Sequence, residues 1–237
     1  MLFFYVRHGD PIYHPDSLTP LGERQAEAIG KRLALHGLDR IYASTSNRAI
    51  LTATPASEIL QKEIVQLDFA NENHAWMELT IVEGDRRYWM FQHTGSKELF
   101  AQPEMRALGN RWYEHPELAK WNFKNGVERI RKASDEFFAS LGYEHIPDSG
   151  RYKVINSNQE RVALFAHQGF GIAFLSSLLD IPYPQYASHF DICHTGLTVI
   201  DFKEENGYAY PRVLMHSSDA HLYGEGLPTF YNREYRI

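Results

Sequence analysis

Two stretches of the chain carry an apolar run that ends in a histidine with glycine close behind it: Phe4-Tyr5-Val6-Arg7-His8-Gly9 and Leu164-Phe165-Ala166-His167-Gln168-Gly169. Runs of this kind suit strands buried on both faces. In open α/β sheets ligands sit beyond the carboxyl ends of strands, and glycine there lets backbone N–H groups come close to a ligand. Both histidines are therefore aimed at the same rim. Arg7 accompanies the first, and Arg48 follows a third short strand, Arg40 to Ser44, near a helix start whose amide dipoles favour an anion. Two arginines, two imidazoles and helix N-termini form a pocket for a dianion, best matched by a phosphoryl group.

Arginine fits that task because its planar fork bonds two phosphate oxygens at once and stays charged at any working pH. Phosphate monoesters hydrolyse so slowly that enzymatic acceleration must approach ~10²¹, more than charge neutralisation alone supplies. A nucleophile splits the step in two, and a neutral imidazole with a free lone pair can accept a phosphoryl group. A neighbouring arginine disfavours protonation of such a ring. Alone, Arg-His-Gly is a weak signal, because a structural histidine beside an ion-paired arginine has the same spelling. His167 has its own bland reading as a hydrogen-bonded core histidine.

The elements that must hold these groups alternate between strand and helix. Besides the two histidine strands and Arg40 to Ser44, strands are expected at Glu63 to Leu67, Thr195 to Phe202 and Pro211 to His216. Thr19-Pro20 is a helix cap followed by proline at the first helical position, with Ala26, Ile29, Gly30 and Leu33 on one face and Gly22, Ala26 and Gly30 letting that helix lie close to a sheet. Ala49, Thr52, Ala53, Ala56 and Leu60 continue the helical spacing, and Pro55 predicts a kink or a restart capped by Thr54. Further helices are expected over Val127 to Leu141 and from Gln168 to Leu179. The pattern predicts an α/β fold, a mostly parallel central sheet with helices on both faces. Residues 73–125 hold all four tryptophans with Tyr88, Phe91, Phe100, Tyr113 and Phe123. They read as an aromatic-rich insertion covering one end of the sheet, either a satellite hydrophobic cluster or a lid over a pocket. The whole chain, 1–237, is expected to form a single domain around it.

With 237 residues and 43% hydrophobic content, the chain can bury a core without staples, which excludes disordered and mini-protein classes. Its single cysteine, Cys193, excludes an internal disulfide framework and points to a reducing, cytoplasmic setting. Leu2 to Val6 is too short for a membrane span and lacks the flanks of a secretory signal, so no membrane association is expected. A net charge of −6 argues against a general grip on nucleic acid. Among twelve histidines, the sets His189, Asp191, His194 and His216, Asp219, His221 could offer metal ligands, but neither has the spacing of a familiar zinc motif. No metal and no cofactor are expected.

Four stretches in order resemble the histidine phosphatase superfamily, whose best-known branch is the cofactor-dependent phosphoglycerate mutases: Arg7-His8-Gly9; Leu18 to Ala26; Ser44 with Arg48-Ala49 and Thr52-Ala53; and Phe165-Ala166-His167 with Gly169. The resemblance implies a phosphoglycerate mutase-like fold in which His8 is the phosphorylated nucleophile and Arg7, Arg48 and His167 hold the phosphoryl oxygens. It makes the aromatic insertion the variable, substrate-selecting cap. It also implies a carboxylic acid that protonates the leaving oxygen and then activates water. Glu72, a few residues beyond the strand ending at Leu67, is the first choice, with Glu78 and Glu83 as alternatives; the family's usual glycine and tryptophan after the acid are not reproduced. Where relatives have a hydroxyl residue and then asparagine, this chain has Asp10-Pro11 and His14. That departure favours a metal-independent phosphatase acting on a small phosphate monoester over a phosphoglycerate mutase, and His14 reads as a loop residue rather than a phosphate contact. A metal-assisted hydrolase and a non-catalytic phosphate-binding module are the remaining alternatives. Substrate and oligomeric state are not legible.

Overall fold

A computed structural model describes residues 1–232. The first half contains β1 (Leu2–Arg7), a hairpin of β2 (Pro11–Tyr13) and β3 (Asp16–Leu18), α1 (Pro20–His36), β4 (Arg40–Ser44), α2 (Asn47–Leu60) and β5 (Ile64–Leu67). Next come α3 (Glu72–Glu78), the hairpin β6 (Thr80–Glu83) and β7 (Arg86–Trp89), α4 (Thr94–Phe100), α5 (Pro103–Ala107), a 3-10 segment (Gly109–Glu114) and α6 (Phe123–Ser140). The remainder is β8 (Tyr143–Ile146), β9 (Arg151–Val154), β10 (Arg161–Ala166), α7 (Gln168–Leu179), α8 (Tyr183–His189), β11 (Leu197–Asp201), β12 (Glu204–Glu205), β13 (Tyr208–Ala209), β14 (Arg212–Ser218) and α9 (Ala220–Gly224).

Six strands form the central sheet in the order β14-β11-β1-β10-β4-β5. β1, β10, β4 and β5 run parallel, β11 pairs antiparallel with β1, and β14 pairs antiparallel with β11. Alternation along β1 sends Phe3 and Tyr5 into one core with Phe137, Phe138 and Phe174 from α6 and α7. Phe4 and Val6 enter the other, with Ile29 and Leu33 of α1 and Ala53 and Ala56 of α2. The expected α/β architecture is present, with helices on both faces. Every residue from Gln168 to Leu178 in α7 is buried, consistent with its nearly unbroken apolar sequence.

Two local expectations need correction. Pro55 does not restart α2: the helix runs through it, and the Thr54 hydroxyl donates to the Ile50 carbonyl at 2.9 Å, a contact of a helix interior rather than a cap. Gly30 does not seat α1 on the sheet; a Cβ there would lie 2.7 Å from Cβ of Pro55, so it permits close contact between α1 and α2. A second sheet, β12-β13-β9-β8, lies beyond the sequence reading. Its four-residue strands β8 and β9, YEHI and RYKV, mix charged and apolar residues over too short a span for periodicity to register. It places His145 of β8 between Asp135 of α6, at 2.8 Å, and Asp180 at the end of α7, at 3.1 Å.

Candidate active site

The register of β1 against β10 pairs Arg7 with Ala166, so the residue after each strand, His8 and His167, emerges at the same level on neighbouring parallel strands. Their ring centroids are 5.2 Å apart. The His8 backbone is held from both sides: its N–H donates to the Ala166 carbonyl at 2.9 Å, and its carbonyl accepts from Thr195 N–H at 3.2 Å. Both residues are buried, His8 with 3% of its surface exposed.

The hydrogen bonds define how each ring is used. His8 Nδ1 lies 2.7 Å from the Gly9 carbonyl, so Nδ1 carries the proton and Nε2 keeps its lone pair. Nε2 makes no hydrogen bond to any described residue. Burial, then the charges of Arg7 and Arg48 around a neighbouring imidazole, hold the His8 pKa well below the usual histidine value. His167 is held low by burial and by Arg48 and Arg7. Its Nδ1 accepts from Arg48 at 3.1 Å, which leaves Nε2–H to donate to Ser44 Oγ at 2.8 Å. Both nitrogens of His167 are thus engaged, so any further acceptor or donor at this ring would replace one of these bonds.

The arginines are anchored unequally. Arg7 donates to the Ile192 carbonyl at 2.7 Å and to Asn232 Oδ1, and Asn232 in turn donates to Gln168 Oε1 at 2.8 Å. Arg48, near the start of α2, pairs with Asp16 at 2.8 Å and lies over the Tyr13 ring, so the β2–β3 hairpin fixes its direction. The Nε–H groups of Arg7 and Arg48 are both buried without an acceptor among the described residues. A buried donor left unpaired costs about 1–3 kcal/mol, which an oxyanion would offset.

Of the three carboxylates singled out in the sequence, only Glu72 reaches this group. It accepts from the N–H of Gly169 at 3.0 Å and of Phe170 at 2.8 Å, the free donors of the first turn of α7. Part of Glu72 meets solvent, yet protein surrounds it on most sides, and this burial raises its pKa against the pull of those amides and of Arg48 and Arg7. Glu78 instead forks onto Arg129, at 2.6 Å for the shortest contact, and Glu83 meets His93 at 3.0 Å on an exposed hairpin. Gly169 has a second task. A Cβ at that position would sit 2.4 Å from the Trp89 ring, so glycine lets the aromatic insertion close onto the start of α7.

His14 is exposed in the β2–β3 turn. The two histidine sets considered for metal do not converge; among the described residues no three His, Cys, Asp or Glu side chains form a metal-holding group. His194 lies instead beside His8, with ring centroids 5.8 Å apart, its Nδ1 3.4 Å from Asp10. Burial and Arg7 lower its pKa to about 3. His216 bonds the Asp191 carbonyl at 3.1 Å, and His221 bonds Thr195 at 2.9 Å. Gln168, Asn232 and Asp16 were not singled out by the sequence reading; each is an isolated polar residue whose role comes only from its neighbours in space. Trp112, Phe123, Phe91 and Phe100 of the insertion all belong to the main core, and Phe91 and Phe100 also line a cavity bordered by Gln168 and Asn232.

Residues 4–136, more than half of the chain, match the histidine phosphatase superfamily (branch 1). The chain belongs to that family. Among solved structures it is similar to a phosphoserine phosphatase from Entamoeba histolytica in complex with 3-phosphoglyceric acid, at 19% identity, covering 93% of this chain and 98% of that one with a TM-score of 0.59. A mycobacterial glucosyl-3-phosphoglycerate phosphatase is similar at 18% identity, 92% and 99% coverage and a TM-score of 0.58. The alpha-ribazole phosphatase of Shigella flexneri follows at 18% identity, 91% and 96% coverage and a TM-score of 0.56. These likenesses establish the shared fold. No curated protein matches the chain by sequence. Among the described residues, no helix is long and apolar enough to cross a membrane.

Proposed function

We propose that this protein is a metal-independent phosphatase that hydrolyses a small phosphate monoester through a phosphohistidine at His8. The observation that carries the reading is the state of His8: a neutral ring, fixed through Nδ1, that keeps an unbonded Nε2 beside two arginines with unpaired buried Nε–H donors. In the first step Nε2 forms a bond to phosphorus while the ester P–O bond breaks, and Glu72 gives its proton to the departing oxygen. In the second step water attacks the phosphohistidine, Glu72 takes the water proton, and the P–N bond breaks to return neutral His8 and release phosphate. Arg7 and Arg48 balance the negative charge throughout. Asn232 yields its Arg7 donor to a phosphoryl oxygen on binding.

The chain's own groups supply nucleophile, cations and proton carrier, the roles a metal would otherwise take. Three of the similar structures bear phosphatase names, which favours hydrolysis over phosphoryl transfer between positions of one substrate. The lone buried Cys193 fits a cytoplasmic setting.

The test is rapid-quench trapping with a radiolabelled monoester. Wild type is expected to acquire acid-labile phosphate at His8, with turnover indifferent to chelator, and His8→Ala to lose both label and turnover. Undiminished hydrolysis by His8→Ala would overturn the mechanism, and loss of activity in chelator would remove the metal-independent reading. Transfer between phosphoglycerate positions that outpaces hydrolysis would make the protein a mutase.

A further inference from the structure

A third imidazole stands beside His8 and takes no part in the two steps of hydrolysis. His194 lies in the turn between α8 and β11, is 3% exposed, and its ring centroid is 5.8 Å from that of His8 with 31° between the planes. The backbone that holds it there is strained. Thr195 has a φ of 52°, in the left-handed region that β-branched residues avoid. Three bonds keep it in place: its N–H donates to the His8 carbonyl at 3.2 Å, its Oγ1 donates to the His194 carbonyl at 2.8 Å, and His221 Nε2 bonds that Oγ1 at 2.9 Å. Gly196 closes the turn onto the Cys193 carbonyl at 2.9 Å, and His194 N–H donates to the Phe230 carbonyl at 2.9 Å. Such strain persists only where the surroundings over-determine it, and it gathers at active centres.

The ring is less well provided for than its backbone. Both nitrogens are buried, and neither completes a hydrogen bond of good geometry among the described residues. Asp10 Oδ1 lies 3.4 Å from Nδ1, long for a hydrogen bond, and Oδ2 of the same carboxylate accepts from the Thr19 hydroxyl at 2.7 Å. Asp10 therefore does not consume the ring proton. The other near group is Asn232, whose side chain acts on the His194 ring and whose Oδ1 accepts from Arg7. One amide thus bridges the guanidinium and the third imidazole, and it is the amide that a phosphoryl oxygen displaces. Kept neutral by burial and by Arg7, the ring carries one N–H and can serve an oxyanion without setting a third full charge beside His8.

We propose that His194 is a further phosphoryl-binding residue: its ring N–H donates, together with Arg7, to the phosphoryl oxygen that takes the place of Asn232 Oδ1. This rests on the phosphatase reading above and adds to it a contact outside the set of Arg7, Arg48 and His167. The phosphoryl oxygens occupy the pocket from bound ester to phosphohistidine, so the contact is made in ground and transition states alike. Its removal raises KM more than it lowers kcat. A purely structural ring would instead lower Tm and leave phosphate affinity where it was.

The test measures binding of inorganic phosphate by calorimetry and hydrolysis of phenyl phosphate on wild type, His194→Leu and His194→Gln, with Tm read on each preparation. His194→Leu is expected to weaken phosphate binding and raise KM by roughly 10- to 100-fold, the scale of one hydrogen bond to a charged group, with a much smaller change in kcat. His194→Gln keeps an N–H donor on a side chain of similar reach and recovers part of the loss. If leucine prevents folding, wild type carrying isotopically labelled histidine decides: the His194 ring-nitrogen resonance, assigned by its absence from His194→Gln, is expected to shift with phosphate occupancy. Unchanged affinity and KM in a folded His194→Leu, equal losses in both variants, or a resonance indifferent to saturating phosphate would overturn the contact and leave the phosphatase reading standing. A wild type that neither binds phosphate nor hydrolyses phenyl phosphate would remove both.

Discussion

Arg48 donates to Nδ1 of His167 at 3.1 Å, and the same guanidinium is held from its other side by Asp16 at 2.8 Å. One cation thus fixes a neutral tautomer on the second histidine, whose ring lies beside that of His8. Arg48→Gln is expected to lower kcat/KM by about 10²–10³-fold, the usual effect of losing one charge-stabilising donor. Asp16→Asn leaves the charge but loosens its aim, so a smaller loss is expected. Steady-state kinetics on one monoester checks both, and equal losses would show that Asp16 does more than orient.

Glu72 is expected to matter in proportion to how poorly the alcohol leaves. Glu72→Gln lowers single-turnover phosphorylation by alkyl phosphates by roughly 10²–10⁴-fold, with a much smaller loss for para-nitrophenyl phosphate, which departs unaided. Because burial raises the Glu72 pKa, the acid form persists to higher pH than an ordinary carboxyl, and the rate of phosphorylation falls as pH rises through that raised value. The variant lacks this limb. His8, held well below the usual range, stays neutral and adds no limb of its own near neutral pH.

Gly169→Ala places a methyl group where the Trp89 ring already lies, 2.4 Å away. Relief requires the insertion or the start of α7 to move, and overpacking of this kind costs about 1–3 kcal/mol. The same shift displaces an N–H that Glu72 accepts. Lower Tm and lower kcat are both expected, read by calorimetry and by kinetics on one preparation.

His145 offers a stability measurement independent of turnover. Burial alone would lower its pKa, but Asp135 and Asp180 outweigh that and raise it to about 9 from 6.5. A raised folded-state value means that the stabilisation is complete below the unfolded pKa and disappears as pH rises through about 9. His145→Gln is therefore expected to lower Tm strongly at pH 6 and little at pH 10, whereas an equal loss at both would mean that the ring contributes only packing.

The parts of the fold legible in the sequence are those with long, one-signed patterns. Unbroken apolar runs marked β1, β10 and α7, and the 3.6-residue spacing marked α1, α2 and α6. The family resemblance rests on residues that lie near those ends, which is why His8, Arg7, Arg48, Ser44 and His167 are legible in the sequence. Choosing Glu72 over Glu78 and Glu83 needed space: nothing in the sequence says that Arg129 consumes one and His93 engages another. Asn232 was invisible for a related reason. It meets Arg7 across 225 positions of chain, and a lone asparagine has no periodicity to betray it. His194 was weighed as a metal ligand on composition, whereas its placement beside His8 depends on the turn that brings Thr195 against β1.

The sheet order also dictates when this centre can exist. β10 lies between β1 and β4, so the strand carrying His8 and the strand carrying Ser44 have no hydrogen-bonded neighbour between them until residues 161–166 have been made. During synthesis the segment that ends in His8 precedes this partner strand by about 150 residues and stays without it until they have been added. A nascent or truncated polypeptide ending ahead of His167 therefore exposes two apolar strand edges and lacks the second imidazole that stands beside His8.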